Sequence, residues 1–181
     1  MKNNLFLDSL NFSDCERARG WRNNNLVALR TPFALTYEQQ EDFYKEVICN
    51  RLSKNRFWAV RDNKKPGNFI AMVGLENIEW ENGIAEISII VNPELQGNGF
   101  GSQIINLLFE AGFNGMRLNN IYGECYECNP AYEFWRKLCR RYKMHTTFLP
   151  YRKFYNGRYH DSLYFSITED QFNLFQEGKK K

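Results

Sequence analysis

The sequence predicts an α/β (α+β) fold, a mixed, mostly antiparallel and twisted sheet flanked by helices, and three observations carry that expectation. Strand-like runs at residues 56–61, 69–75 and 84–91 are separated by the turn-rich segment 62–68 and by Asn82-Gly83, which reads as an antiparallel meander. A strand, a glycine loop, an apolar-faced helix and another strand then follow over 84–128, and a helical crossover of that length makes its two strands parallel. Asn156-Gly157 between runs 146–155 and 158–167 marks a closing hairpin.

Helix starts are marked by three capping boxes, in which side chains satisfy backbone donors that the first turn leaves orphaned: Ser13 with Glu16, Thr36 with Gln39, and Thr168 with Gln171. The first helix is short and ends near Trp21-Arg22-Asn23. The second spans 37–52, with Phe43, Val47 and either Ile48 or Leu52 facing inward and Glu38, Glu41, Asp42 and Glu46 lining its other side. The helix at 102–113 presents Ile104, Ile105, Leu108, Phe109 and Ala111 as one broad apolar face. After the strand at 120–128, Asn129 is expected to cap a helix whose first position is Pro130, where the missing N–H costs nothing. No repeat or linker interrupts the chain, so one domain over 1–178 is expected, followed by a basic, disordered tail at 179–181.

Composition agrees with one globular unit. The 181 residues are 43% apolar and 25% charged, which excludes collagenous, disordered and coiled-coil classes. Twenty-four Lys and Arg oppose 21 Asp and Glu, and a net charge of +3 points to neither a strong nucleic-acid binder nor an acid-rich surface. The charge is nonetheless uneven, because residues 134–160 hold eight basic side chains and no carboxylate. The N-terminus lacks a secretory apolar stretch and no run approaches the ~18 apolar residues of a membrane span, so a soluble, cytoplasmic protein with no membrane partner is expected. Its five cysteines are then reduced. Cys125 and Cys128 face opposite sides of a strand and lack a second ligand pair, so no metal is assigned. Neither histidine, His145 or His160, lies in a recognisable pattern with a nucleophilic cysteine.

The loop Gln96-Gly97-Asn98-Gly99-Phe100-Gly101 fits neither a dinucleotide fingerprint, which would need glycine where Ser102 stands, nor an NTPase loop, which would need Gly-Lys-Ser/Thr. It suits an anion site in which main-chain N–H groups converge at the positive end of a helix. The same glycines also suit a tight turn with close helix packing.

With Gln96-x-x-Gly99-x-Gly101 in place, the sequence resembles the Gcn5-related N-acetyltransferase (GNAT) superfamily, which binds the pyrophosphate of acetyl-coenzyme A in such a loop. Trp21-Arg22-Asn23, Ala85-Glu86-Ile87, Leu118-Asn119-Asn120-Ile121, Asn129 and residues 156–162 fall in the order seen in its ribosomal-protein N-terminal acetyltransferase branch (RimJ/RimL-like), over roughly residues 5–167. The resemblance implies a sheet splayed between the family's fourth and fifth strands. It implies acetyl-CoA held by Gln96, Gly97, Asn98, Gly99, Phe100, Gly101 and Ser102, with the pantetheine along Ile89, Ile90 and Val91 and in contact with Asn129.

Acetyl transfer to an amine needs a neutral nucleophile, a stabilised oxyanion and a proton for the departing thiolate. The resemblance places a candidate base at Glu124, ranked first, and another at Glu86. Strand alternation puts Tyr122, Glu124 and Tyr126 on one face. Trp135 stands where the family carries an acidic tyrosine, and indole cannot donate that proton. Tyr132, one turn earlier, is the substitute candidate, and Trp135 then walls the thioester site. The expected acceptor is a protein N-terminal α-amine, with a polyamine or a nucleotide-linked amino-sugar as the alternative. A catalytically silent CoA-binding module is the reading from another class. Cations interleaved with aromatics are routine in hairpins, so nucleic acid is not assigned as a partner, and a monomer or homodimer is expected.

Overall fold

The computed structural model describes residues 5–179. Seven strands form one sheet in the order β1-β2-β3-β4-β5-β7-β6. These are β1 (Leu5–Asp8), β2 (Arg56–Asp62), β3 (Lys65–Glu79), β4 (Ile84–Val91), β5 (Asn120–Tyr126), β6 (His145–Tyr155) and β7 (Arg158–Thr168). All neighbours are antiparallel except β4 and β5, which run parallel. The mixed, mostly antiparallel sheet is therefore as the sequence predicts.

Two apolar layers cover the sheet. On one face, α3 (Phe100–Glu110), α4 (Tyr132–Tyr142) and α5 (Glu169–Gly178) bury Ile104, Leu108, Leu138 and Phe172 against Val73, Ile121, Leu163 and Ile167. On the other, α1 (Phe12–Asn23) and α2 (Tyr37–Phe43) close a smaller cluster around Cys15, Ala18, Ala59 and Met72. Alternation along β4 sends Ile87, Ile89 and Val91 into the first layer and leaves Glu86, Ser88 and Ile90 on the second face.

Several elements differ from expectation for local reasons. The four-residue β1 has no sequence signal long enough to read, and it exists because β2 offers it an edge. The first helix is capped by Asn11 and Asp14 rather than Ser13 and Glu16, whose carboxylate pairs with Arg19 at 2.9 Å. The second helix widens into a π turn at Tyr44–Ile48 and ends short of residue 52; of the two candidates for the inward position Ile48 packs on the second cluster, while Leu52 is 91% exposed. α3 likewise ends in a π turn, Ala111–Gly115. Strand β5 stops at Tyr126. The helix after it begins at Tyr132, not Pro130, because Asn129 closes a turn by accepting from the Ala131 N–H at 2.8 Å. Lys179 caps α5 and its Nζ donates to Asn106 Oδ1 at 3.3 Å; the other two residues of the expected tail, 180 and 181, lie outside the described residues.

The parallel pairing of β4 with β5 covers only Ile84↔Asn120, Ala85↔Ile121 and Glu86↔Tyr122, although β4 continues to Val91 and β5 to Tyr126. The strands part where Gly123 stands. A Cβ there would lie 2.6 Å from Phe165 Cζ and 2.7 Å from Ile87 Cγ2, so the absent side chain lets these two groups fill the fork. Trp135 stacks behind them on Phe165, with centroids 4.6 Å apart. Adding one methyl in this packed fork forces neighbours off their rotamers, a change that costs about 1–3 kcal/mol in close-packed cores. Gly123→Ala is therefore expected to lower the urea midpoint with an unchanged slope, measured by equilibrium unfolding.

Candidate active site

Past Glu86, the edge of β4 that faces β5 has no strand partner among the described residues, while its other edge stays paired with β3 through Val91↔Ala71. Residues 87–91 thus present main-chain donors and acceptors to the fork. Ile89, Ile90 and Val91 lie here as expected, each half-buried.

At the end of this edge, Pro93–Leu95 forms a 3₁₀ turn and the glycine loop leads into α3. Gly97 and Gly99 have φ of +81° and +78°, a left-handed conformation that only glycine adopts without strain, and nothing lies within 4 Å of where their Cβ atoms would be. Helices α1, α2 and α5 begin with closed capping boxes, whereas α3 begins at Gly99 with no side-chain cap. The first-turn N–H groups of α3 at Phe100, Gly101 and Ser102 therefore retain their demand for an acceptor. Gly101 serves a different need. A Cβ on it would stand 2.9 Å from Phe134 Cε2, so it sets the close approach of α3 to α4. Gln96 and Asn98 hold the loop's own carbonyls, Val91 O at 3.5 Å and Leu95 O at 3.4 Å. An open loop with two left-handed glycines and an uncapped helix fits a diphosphate, and the bare strand edge fits an amide-containing arm.

On the opposite face of the fork, Glu86, Tyr122, Glu124 and Tyr164 come together through the registers Glu86↔Tyr122 and Glu124↔Tyr164, with the two tyrosine rings stacked at 5.8 Å. Glu76, the cross-strand partner of Glu86, extends the row of carboxylates onto β3. Arg30 bridges the two candidate bases. Its Nη1 donates to Glu86 Oε2 at 3.2 Å, its Nη2 donates to Glu86 Oε1, and the same Nη2 stands 3.8 Å from Glu124 Oε2. Asn77 Nδ2 adds a bond to Glu86 Oε2 at 3.3 Å.

Glu124 is more heavily engaged. Arg152 donates to it from Nε at 2.9 Å and from Nη2 at 3.4 Å, and the Ser162 hydroxyl donates at 2.6 Å. Burial raises its pKa, but the bonds from Arg152 and Ser162, with the charges of Arg152 and Arg30, outweigh it and hold the carboxyl below its ordinary value. Glu76 goes the other way. Burial pushes it up, the Glu86 charge adds to that, and the Ser88 hydroxyl and the Arg30 and Arg22 guanidiniums offset only part.

On α4, Tyr132 is half-buried against the apolar layer with Arg136 over its ring at 5.9 Å, and burial raises its phenol above the usual value. Trp135 lies deeper, 7% exposed, against Phe165. Cys125 is buried in the core with its thiol pushed up to about 12 by burial, and Cys128 follows the strand, its Sγ 4.0 Å from Val27 O.

A family profile described as an acetyltransferase (GNAT) domain matches residues 4–134. The chain belongs to the GNAT acetyltransferase family. It is an acetyl-CoA-dependent N-acetyltransferase, and the loop, uncapped helix and bare strand edge have the chemistry that cosubstrate requires. This GNAT protein is 27% identical over 175 residues to a spermidine N(1)-acetyltransferase of Vibrio cholerae, covering 95% of this chain and 97% of the relative. A Vibrio cholerae spermidine N-acetyltransferase in complex with CoA and spermine superposes with a TM-score of 0.81 at 26% identity, over 95% of this chain and 99% of that one. A dodecameric structure of that organism's enzyme in an intermediate state gives 0.77, at 26% identity, over 94% and 97%.

These likenesses correct two expectations. The relatives are spermidine N-acetyltransferases, so the chain does not fall in the ribosomal-protein (RimJ/RimL-like) branch, and the dodecameric relative overturns the expectation of a monomer or homodimer. Among the described residues no helix is long and apolar enough to cross a membrane.

Sequence reasoning places Glu86 and Glu124 on adjoining strands but misses Arg30 and Glu76, gives Ser162 no role, and counts Arg152 only among the eight basic side chains of residues 134–160. Glu76 lies one antiparallel register from Glu86 and was within reach of strand alternation; Arg30, on an irregular loop, carries no pattern at all. Because the folded pKa of Glu76 is raised, its contribution to stability is complete below the unfolded carboxyl value and is lost as pH rises through the folded value. Glu76→Gln is thus expected to melt higher than the parent at pH 7.5, with the gap closing by pH 4, as read by calorimetry across that range.

Proposed function

We propose that this enzyme acetylates a primary amine of a polyamine, in a single domain over residues 1–178, by direct attack of the amine on acetyl-CoA. The observation that carries the reading is the row Glu76, Glu86 and Glu124 beside the opening of β4 from β5, carboxylates suited to the ammonium groups of a polycation and poorly suited to the phosphates of a nucleotide-linked sugar. The spermidine acetyltransferases among its relatives support it, in preference to a protein N-terminal amine.

In this reading the first-turn N–H groups of α3, with the loop from Gln96 to Ser102, hold the pyrophosphate, and the open edge at Ile89, Ile90 and Val91 takes the pantetheine as an added strand would be taken. Asn129 closes the turn that seats α4 beside it. A main-chain N–H of that edge meets the developing oxyanion. An alkyl ammonium titrates near ~10.4 and must lose a proton before attacking. Glu124, held by three donors and low in pKa, keeps its charge and anchors a substrate ammonium. Glu86, whose donors are Asn77 and the guanidinium of Arg30 from an irregular segment, accepts the proton directly or through water. Trp135 and Tyr132 wall and pack the thioester site, and the thiolate, with a pKa near ~8.5, is protonated by solvent.

Thiol release measured with spermidine, spermine, an amino-sugar nucleotide and a peptide N-terminus distinguishes the acceptors, with spermidine or spermine expected to give the highest kcat/KM; a faster peptide reaction would remove the reading. Removing a positioned base typically costs 10²- to 10⁴-fold, so Glu86→Gln is expected to lower kcat by about that range, while Glu124→Gln chiefly raises acceptor KM. Gly99→Val, strained by its positive φ, is expected to weaken acetyl-CoA binding in calorimetry while the acceptor preference persists.

A further inference from the structure

The anionic floor already holds internal cations. Arg152 reaches Glu124 from strand β6 and Arg30 reaches Glu86 from an irregular segment, with side chains 50% and 55% exposed, so what sets Arg30 apart is the segment that carries it. That segment is pinned at its two ends and loose between them. Lys153, itself buried, donates to the carbonyls of Leu26 and Leu29. On the far side Asn23 exchanges two bonds with the main chain of Leu35, each 2.9 Å. Between these pins, residues 30–34 are exposed, with Phe33 at 75%, and besides the bonds of Arg30 to Glu86 the one side-chain bond to them among the described residues is from Arg22 Nη2 to the Thr31 hydroxyl at 3.0 Å. Only the Arg30 guanidinium reaches down from this strap among the described residues, and it reaches the gap between Glu86 and Glu124.

We propose that Arg30 is a removable internal occupant of the acceptor site: its guanidinium stands where a substrate ammonium must stand, and an acceptor binds by exchanging with it as the strap of residues 30–34 lifts. This rests on the preceding assignment of the Glu86 and Glu124 face to the acceptor. Two side chains cannot fill the same gap between two carboxylates. While Arg30 is there, both oxygens of Glu86 are taken and it cannot receive a proton; once Arg30 has left, Glu86 retains only the Asn77 bond and can. A neutral amine has no charge with which to replace the guanidinium, so the exchange selects cationic acceptors. It also keeps two buried carboxylates, with side chains 10% and 6% exposed, compensated when no acceptor is present, which matters because a desolvated charge without a partner is costly. The apparent acceptor affinity is then the intrinsic one reduced by the fraction of molecules in which the site is vacated.

The test compares the full-length enzyme with Arg30→Ala and Arg30→Lys. If Arg30 fills the site in four molecules of five or more, Arg30→Ala lowers acceptor KM by about fivefold or more, whereas Arg30→Lys stays near the parent. An unchanged or raised KM in Arg30→Ala overturns the proposal, as does an equal drop in Arg30→Lys. A second readout needs no acceptor. Arg30→Ala is expected to melt below the parent, and millimolar guanidinium chloride is expected to restore its melting temperature while leaving the parent unmoved, because the free cation refills the gap. Equal melting of the two proteins, or no restoration, overturns the proposal. Should the parent fail to turn over spermidine or spermine, the polyamine reading falls, and the guanidinium experiment still decides the place of Arg30.

Discussion

The parting of β4 from β5 after three parallel pairs is the constraint from which the rest of the molecule follows. A strand edge in the interior of a sheet must satisfy its N–H and C=O groups, and here five residues of β4 are left to do so with something other than a strand. Gly123 makes the divergence possible by omitting the side chain that would collide with Ile87 and Phe165. The aromatic stack of Trp135 on Phe165 backs the fork and keeps it from collapsing. One end of the opening meets the uncapped start of α3 and the other face meets the glutamates. A single interruption of pairing thus brings an anion-seeking helix terminus and a cation-seeking carboxylate row to the two sides of one slot.

Those two ends are handled by different means. The side proposed for the cosubstrate relies on backbone, with left-handed glycines and orphaned amides whose geometry is fixed by the fold itself. The side proposed for the acceptor relies on side chains drawn from β3, β4, β5, β6, β7 and the loop after α1. Burial of carboxylates there is tolerated because guanidiniums are supplied to them, and the opposite pKa directions of Glu76 and Glu124 record how unequally those guanidiniums are shared.

The cosubstrate side was the legible one. Its strand had the predicted limits, Ile84–Val91, because Gly83 at φ +64° starts it and Pro93 ends it. The closing hairpin was equally plain, with Asn156 and Gly157 both at positive φ as a two-residue turn requires. The acceptor side was not legible, since Arg30 and Glu86 are 56 positions apart and a loop carries no periodicity from which to infer a partner. Arg152 reaches Glu124 across β7 from a bulge at Leu149/Lys153, where Tyr151 takes φ +55°; a bulge re-aims a side chain in a way that alternation cannot anticipate. The misplaced branch has the same origin. The matching motifs mark elements of the shared fold, while the irregular segment that carries Arg30, between the first two helices, holds none of them.

The placement of the sulfurs bears on the company this protein keeps. The acetyl donor is a thioester, and an accessible thiolate can attack its acyl carbon and release the CoA thiol. Cys15 and Cys125 are pushed up to about 12, Cys139 to about 11, and Cys128 is also raised, each chiefly by burial, so they remain protonated and inert beside that chemistry. Cys49 alone among the cysteines is exposed, beyond α2 and away from the fork. Acyl transfer from the thioester to a protein thiol, with release of the CoA thiol, is therefore favoured at the periphery, at Cys49, and spares the proposed slot.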